Sequence, residues 1–382
     1  MPSEEPFFKI TPPLLNSSNP WATNSDDLLA LYNCPHTGAV TTRTSLWKGF
    51  KQGPRTHQYI FFSSSKGHST SKVDIHNYNE GRGEARKKSE TSSLNTLGYS
   101  PIPFEDYVRT IVELSHIGCL DEILSKRQGR VKPFIISVTG TAEEVAKCYT
   151  YLFEVLNHPD KVYPYSMGYQ TRGLEFMMEI NLSCPNIPDK PPPAYDADAL
   201  AAYIDAIAAA RSATYTDVNK SPTGKLGSLI HVGIKTPPYT YQGQFQTLLN
   251  ALEASSRKSK DGSPISFITA TNTLGSSLVL DSSNEPAIKS ATGTGIGGLA
   301  GEAIHALSLG NVRTIRTLLD TSTCEDLKRI VVIGVGGVKD KLGFRRMRTV
   351  GAGVVGVGTA LGRGGVGVFQ GIAEGFEAEE RL

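Results

Sequence analysis

The sequence predicts a single α/β domain, a (β/α)8 TIM barrel over residues 1–382 with a polar insertion after its second strand. Three observations predict it. Short β-branched or apolar runs alternate with helix-patterned segments along the whole chain, as parallel sheets covered by helices require. Eight such units can be read, which suits a closed barrel better than an open doubly wound sheet. Polar clusters and Gly-rich turns follow the strands, on the face where barrels build their sites.

The elements read in order as follows. Strand one (14–17) is followed by a helix over 26–32, and strand two (38–43) by a helix over 105–116. Strand three (134–138) is Phe-Ile-Ile-Ser-Val, and a helix over 142–154 follows it. Strand four (176–182) precedes a helix over 197–210, and strand five (229–235) a helix over 244–255. Strand six (267–272) leads to a helix over 300–319, strand seven (330–335) to one over 341–350, and strand eight (354–358) to one over 368–380. Two stretches exceed a minimal barrel. Residues 52–93 are polar and rich in Ser, Gly and Lys, which reads as a solvated, flexible insertion. Residues 185–193 hold five prolines, too stiff for helix or strand.

Composition excludes several partners. Of 382 residues, 39 are Lys or Arg and 37 Asp or Glu, so no strong field points to nucleic acid or an anionic membrane. The acidic start, Met1-Pro2-Ser3-Glu4-Glu5-Pro6, lacks the layout of a secretory signal. No run approaches a membrane span. Five cysteines at spacings unlike a metal site read as reduced thiols in a cytoplasmic protein.

The strand ends carry the chemistry. They read Asn16-Ser17-Ser18-Asn19, Thr41-Thr42-Arg43-Thr44-Ser45, Asn181-Leu182-Ser183-Cys184-Pro185-Asn186, Lys235-Thr236 and Thr271-Asn272-Thr273. Singly these are capping or turn residues; five together mark a site. Gly334-Val335-Gly336-Gly337 and Gly356-Val357-Gly358-Thr359 end the last two strands. Barrels commonly bind phosphate there through backbone N–H groups. Gly295-Ile296-Gly297-Gly298 offers further donors. Lys235 should point into the barrel mouth, as an ion pair, a Schiff-base amine or a fixed charge beside a flavin. Cys184 sits on an exposed loop, whereas Cys34, Cys119, Cys148 and Cys324 read as structural. His36 and His231 read as packing or hydrogen-bonded residues, and no metal is expected.

These motifs carry a resemblance. Glu179 to Asn186, with Lys190-Pro191 and Tyr195-Asp196, resembles the active-site loop of dihydroorotate dehydrogenases, specifically the soluble fumarate-reducing class with a cysteine base. The likeness extends to 38–45, Ser93-Leu94-Asn95-Thr96-Leu97-Gly98, Gly233-Ile234-Lys235, Asn272-Thr273-Leu274-Gly275, Gly336-Gly337 and Gly358-Thr359. It implies a flavoprotein oxidoreductase of pyrimidine biosynthesis, a homodimer that uses FMN to oxidise dihydroorotate to orotate, with fumarate as acceptor. By position, Cys184 would remove the proton and Lys235 would sit beside the flavin. Arg43, Asn95, Leu97, Gly98, Asn181, Asn186, Asn272 and Thr273 would hold the substrate. Ser18, Arg43, Thr44, Asn181, Lys235, Thr271, Gly297, Gly298, Gly336, Gly337, Gly358 and Thr359 would hold FMN.

Two positions depart from the family pattern. Arg43 stands where the pattern has lysine, and Asn19 where it has glycine. Those departures leave room for a related FMN oxidoreductase acting on another cyclic imide or pyrimidine. A non-catalytic flavin-binding sensor and a pyridoxal-phosphate lyase built on Lys235 are the other readings.

Overall fold

The computed structural model describes residues 5–69, 74–75, 89–116, 131–163, 173–183, 192–219, 230–259 and 262–376. Thirteen strands lie among the described residues: β1 (Leu14–Asn16), β2 (Val40–Thr41), β3 (Gln58–Phe62), β4 (Asp74–Ile75), β5 (Ser92–Asn95), β6 (Phe134–Val138), β7 (Phe176–Asn181), β8 (His231–Lys235), β9 (Phe267–Ala270), β10 (Leu274–Ser277), β11 (Gly297–Gly301), β12 (Val331–Val335) and β13 (Val354–Val357). Eight of them run parallel in the order β1-β13-β12-β9-β8-β7-β6-β2. Each of the eight runs expected from sequence supplies one of these strands.

The barrel closes between β1 and β2 with little backbone pairing. A parallel bridge joins Leu15 to Ala39, and Gly38 N–H donates to the Leu14 carbonyl at 2.8 Å. The buried Asn16 side chain completes the seam. Its Nδ2 donates to the Thr41 carbonyl and its Oδ1 accepts the Thr41 N–H at 2.9 Å. One amide thus does the work of a missing ladder pair.

Side chains alternate across the strands as the pleat requires. On β7, Phe176, Met178 and Ile180 join the large core between strands and helices. Met177 points inward with Ile10, Ile135, Phe267 and Val331 to fill the lower barrel. Helices begin where side chains can satisfy their orphan N–H groups. Asn24 caps Ser25–Asn33, Asp340 caps Lys341–Thr349, and Thr141 with Glu144 forms a capping box before Ala142–Asn157. Buried Lys132 closes the far end of the first helix, donating to the carbonyls of Tyr32 and Cys34, each at 2.7 Å.

Three expectations change. Residues 52–93 are not uniformly solvated: Gln-Tyr-Ile-Phe-Phe, an aromatic and β-branched run inside a polar stretch, forms β3, every residue of it buried. With β4, β5, β10 and β11 it builds a second, antiparallel sheet in the order β10-β11-β5-β3-β4. Residues 70–73 and 76–88 of that stretch lie outside the described residues. Second, the helix expected from residue 300 starts at His305. Gly297–Gly301 is instead a strand, because glycine disfavours helix and lets neighbours close in; a Cβ at Gly297 would lie 2.3 Å from the Asn95 carbonyl oxygen. Third, the last helix spans Val368–Ala373, with residues 377–380 outside the described part. No described helix is long and apolar enough to cross a membrane.

Candidate active site

The second sheet covers the C-terminal rim of the barrel, and between them lies an open cavity, about 1120 Å³ when the solvent at its mouth is counted. Most of the expected residues meet on its wall. Ser18 comes from the end of β1, Arg43 and Thr44 from the end of β2, and Asn95, Leu97 and Gly98 from the end of β5. Asn181 and Lys235 end β7 and β8, while Thr271, Asn272 and Thr273 follow β9. Gly336, Gly337, Gly358 and Thr359 close the circle after β12 and β13. Cys184 and Asn186 lie outside the described residues. Gly297 and Gly298 are the exceptions among those described: their positions in β11 place Ala300 and Gly301 on the wall instead. Gly298 contributes indirectly, its carbonyl accepting Asn95 Nδ2 at 3.2 Å.

Beneath the floor of the cavity the barrel interior is polar and ordered by one carboxylate. Glu179, on the inward face of β7, is 2 % exposed. Its two oxygens accept Ser137 Oγ at 3.0 Å and Thr269 Oγ1 at 2.7 Å. Because Ser137 spends its hydrogen on Glu179, it must accept from Thr44 Oγ1, 2.9 Å away. Thr44 Oγ1 then accepts from Asn181 Nδ2 at 3.0 Å and from Ser18 Oγ at 2.9 Å. A buried acid therefore sets the direction of the Ser137, Thr44 and Ser18 hydroxyls up to the cavity wall. Fully satisfied networks of this kind hold polar side chains rigid.

The amides are pre-arranged by the same logic. Asn181 Oδ1 accepts the Ser183 N–H, the Ser183 hydroxyl and Asn272 Nδ2, at 3.2, 3.1 and 3.1 Å. Asn272 Nδ2 also donates to Ser183 Oγ at 2.9 Å, and its Oδ1 accepts Thr273 N–H at 2.8 Å. Asn181 and Asn272 thus pin Ser183, the last described residue before Cys184.

Two buried cations flank this floor. Lys235 Nζ donates to Ser17 Oγ at 3.0 Å, and Arg43 Nη2 to the Gly98 carbonyl at 3.1 Å. Both side chains are only 3 % exposed. Charge that is so desolvated is a strong handle for an anionic ligand. Nearby His57 is held below its ordinary value, mainly by burial and also by the Arg43 guanidinium. It packs edge-on against Phe50, ring centroids 5.2 Å apart.

One of the two glycine turns leaves room beside its backbone. A Cβ built at Gly358 meets no atom within 4 Å, although Gly358 lies on the cavity wall. Nothing in the protein needs that space, so it is open to a ligand approaching the backbone closely. The next residue, Thr359, bonds through its hydroxyl to Ser93 Oγ at 2.9 Å. Trp21, Tyr59, Thr91 and Lys339 also line the cavity and were not singled out from sequence. Tyr59 belongs to β3, and Trp21 packs edge-on against it with centroids 5.4 Å apart. Its aromatic, β-branched strand was the available signal.

Comparison with known proteins gives a consistent picture. The family model described as "Dihydroorotate dehydrogenase" matches residues 166–379, more than half of the chain. A dihydroorotate dehydrogenase (fumarate) from Trypanosoma cruzi is 27 % identical over 277 residues, 72 % of this chain and 69 % of that one. One from Saccharomyces paradoxus is 30 % identical over 192 residues, about half of each chain (50 % and 51 %). A dihydroorotate dehydrogenase A (fumarate) from Lactococcus lactis is 25 % identical over 292 residues, 75 % of this chain and 74 % of its own. Among solved structures, the ligand-free DHODH of Eimeria tenella superposes with a TM-score of 0.63 at 14 % identity, covering 95 % of this chain and 82 % of that one. At that identity the likeness is one of fold.

Proposed function

The chain belongs to the dihydroorotate dehydrogenase family, and from that premise we propose that it oxidises dihydroorotate to orotate with FMN as its flavin and fumarate as the final acceptor. The observation that carries the proposal is the convergence of Arg43, Lys235, the amides of Asn95, Asn181 and Asn272, and the two terminal glycine turns on one cavity. When bound, FMN supplies a two-electron acceptor for hydride; fumarate then takes up the two electrons and two protons.

The chain's own residues have distinct tasks in this proposal. Gly336, Gly337, Gly358 and Thr359 hold the flavin phosphate, with Ala300 and Gly301 beside them in place of Gly297 and Gly298. Ser18, Thr44 and Thr271 border the flavin, and Lys235 supplies a fixed positive charge next to it. Amides suit the alternating donor and acceptor edge of a pyrimidine. Asn95, Asn181, Asn186, Asn272 and Thr273 therefore orient the ring, with Leu97 and Gly98 at its side and Arg43 facing its carboxylate. Cys184, assigned by its place in the Asn181–Asn186 motif, takes the ring-carbon proton as the neighbouring carbon loses hydride. A thiol with an ordinary pKa near ~8.5 is a workable base where its surroundings favour the thiolate. A cytoplasmic homodimer belongs to the same proposal and rests on the resemblance; sedimentation of the purified protein checks the dimer.

Anaerobic mixing with dihydroorotate tests the activity. Flavin absorbance should bleach and return on adding fumarate. Cys184→Ala should stay yellow but bleach at least a hundredfold more slowly, within the ~10²–10⁴-fold range that a positioned base contributes. Purified protein that takes up no FMN, or holo-protein that dihydroorotate fails to bleach, would remove the proposal.

A further inference from the structure

We propose that Lys339 reads the phosphate of the flavin and makes this cavity select FMN over unphosphorylated riboflavin; the inference rests on the cavity being a flavin site. Among described residues, the cations on the cavity wall are Arg43, Lys235 and Lys339. The first two are bonded at the ends of β2 and β8, to Gly98 and Ser17. Lys339 alone shares a turn with Gly336 and Gly337. A phosphate monoester carries close to two negative charges at neutral pH. Backbone N–H groups bring partial charge only, so a nearby ammonium adds what the glycine turns lack.

Lys339 is also held in place from outside the cavity. Its Nζ donates to Glu302 Oε1 at 2.6 Å. The other oxygen of Glu302 accepts the hydroxyl of Thr91, itself on the cavity wall. Three separate segments therefore meet here: the turn after β12, the residue following β11, and the residue preceding β5. Hydrogen bonds from Lys339 and Thr91 hold the Glu302 carboxyl below the usual carboxylate range, so the acid keeps its grip well below neutral pH. An ammonium has three donors, and the bond to Glu302 orients it without exhausting it. The Lys339 side chain is 29 % exposed, enough to meet a ligand and too much for a core role.

Fluorescence titration of the full chain, stripped of flavin, tests this with FMN and riboflavin side by side. Lys339→Met should weaken FMN by about tenfold, the size of one charge-assisted hydrogen bond, and leave riboflavin affinity unchanged. It should also flatten the loss of FMN affinity as salt rises, since that loss reports the exposed charge. Lys339→Arg should restore most FMN affinity. Wild-type FMN affinity in Lys339→Met overturns the proposal and marks the Glu302 contact as a rim ion pair only. So does an equal loss of FMN and riboflavin, which would signal damage to the fold; Lys339→Gln repeats the test should the methionine variant fail to fold. Wild-type protein that binds neither flavin overturns the flavin-site reading together with this one.

Discussion

A Cβ added at Gly336 would lie 1.9 Å from Ser308 Oγ, and at Gly337 2.7 Å from the His305 Cβ, on backbones with φ of +137° and +71°. These glycines are needed by the fold itself, whatever occupies the cavity. Gly358 meets no such contact, since its Cβ would project into open space. Two alanine substitutions at one end of the cavity should therefore part company. Gly336→Ala should lower stability by ~1–3 kcal/mol through overpacking and backbone strain, seen as a lower denaturant midpoint. Gly358→Ala should lose less stability than Gly336→Ala yet bind FMN about tenfold more weakly, its methyl filling ligand space. A Gly358→Ala protein with unchanged flavin affinity would mean that no phosphate approaches this backbone.

At the level of elements, the eight barrel strands were legible because strands buried on both faces are runs of apolar and β-branched residues, as Phe134–Val138 and Val331–Val335 are. Their C-terminal polar residues were legible for the same reason, since a strand's end fixes where the next side chains point. β3 was not, because Gln58–Phe62 lies within a stretch whose average polarity hides five buried residues. Tyr59 followed it out of sight, because only tertiary folding of the second sheet over the rim brings it to the site. Trp21 and Lys339 sit in loops after β1 and β12, where no pattern in the sequence set them apart from surface residues. Asn16 was read as part of a polar rim cluster, and its amide proves to be the seam between β1 and β2. Leucine there would leave the Thr41 N–H and carbonyl buried without partners, at ~1–3 kcal/mol for each group. Asn16→Leu should therefore lose roughly 2–6 kcal/mol in equilibrium unfolding. A loss below that range would show the β1–β2 seam to be held by the Leu15–Ala39 bridge alone.

Across the whole molecule, the barrel is shut at the end opposite the cavity by a hydrophobic plug that contains one titratable ring. His231, at the start of β8, packs at a tilt against Phe8 with ring centroids 5.0 Å apart, and Phe8 in turn meets Phe267 edge-on at 5.8 Å. Gly233 makes room for Phe267, since a Cβ there would come within 2.2 Å of its ring. Burial, helped by the charge of Arg211, lowers the His231 pKa from 6.5 to about 4. Between those values the unfolded chain binds a proton that the folded chain refuses, so stability must fall as pH falls through this window. From about one pH unit above 6.5 the ring is neutral in both states and contributes no slope. The full effect is on the order of 3 kcal/mol, reached near pH 4. His231→Gln retains a polar group for Ser266, the present partner at 3.2 Å, but cannot titrate. Urea unfolding of both proteins at several pH values separates this ring from the carboxylates that also respond to acid. The wild type should lose stability faster than His231→Gln as pH falls through 6.5, and the two curves should run parallel from about one pH unit above it. Parallel curves throughout would place water at the plug and leave the barrel floor open to solvent.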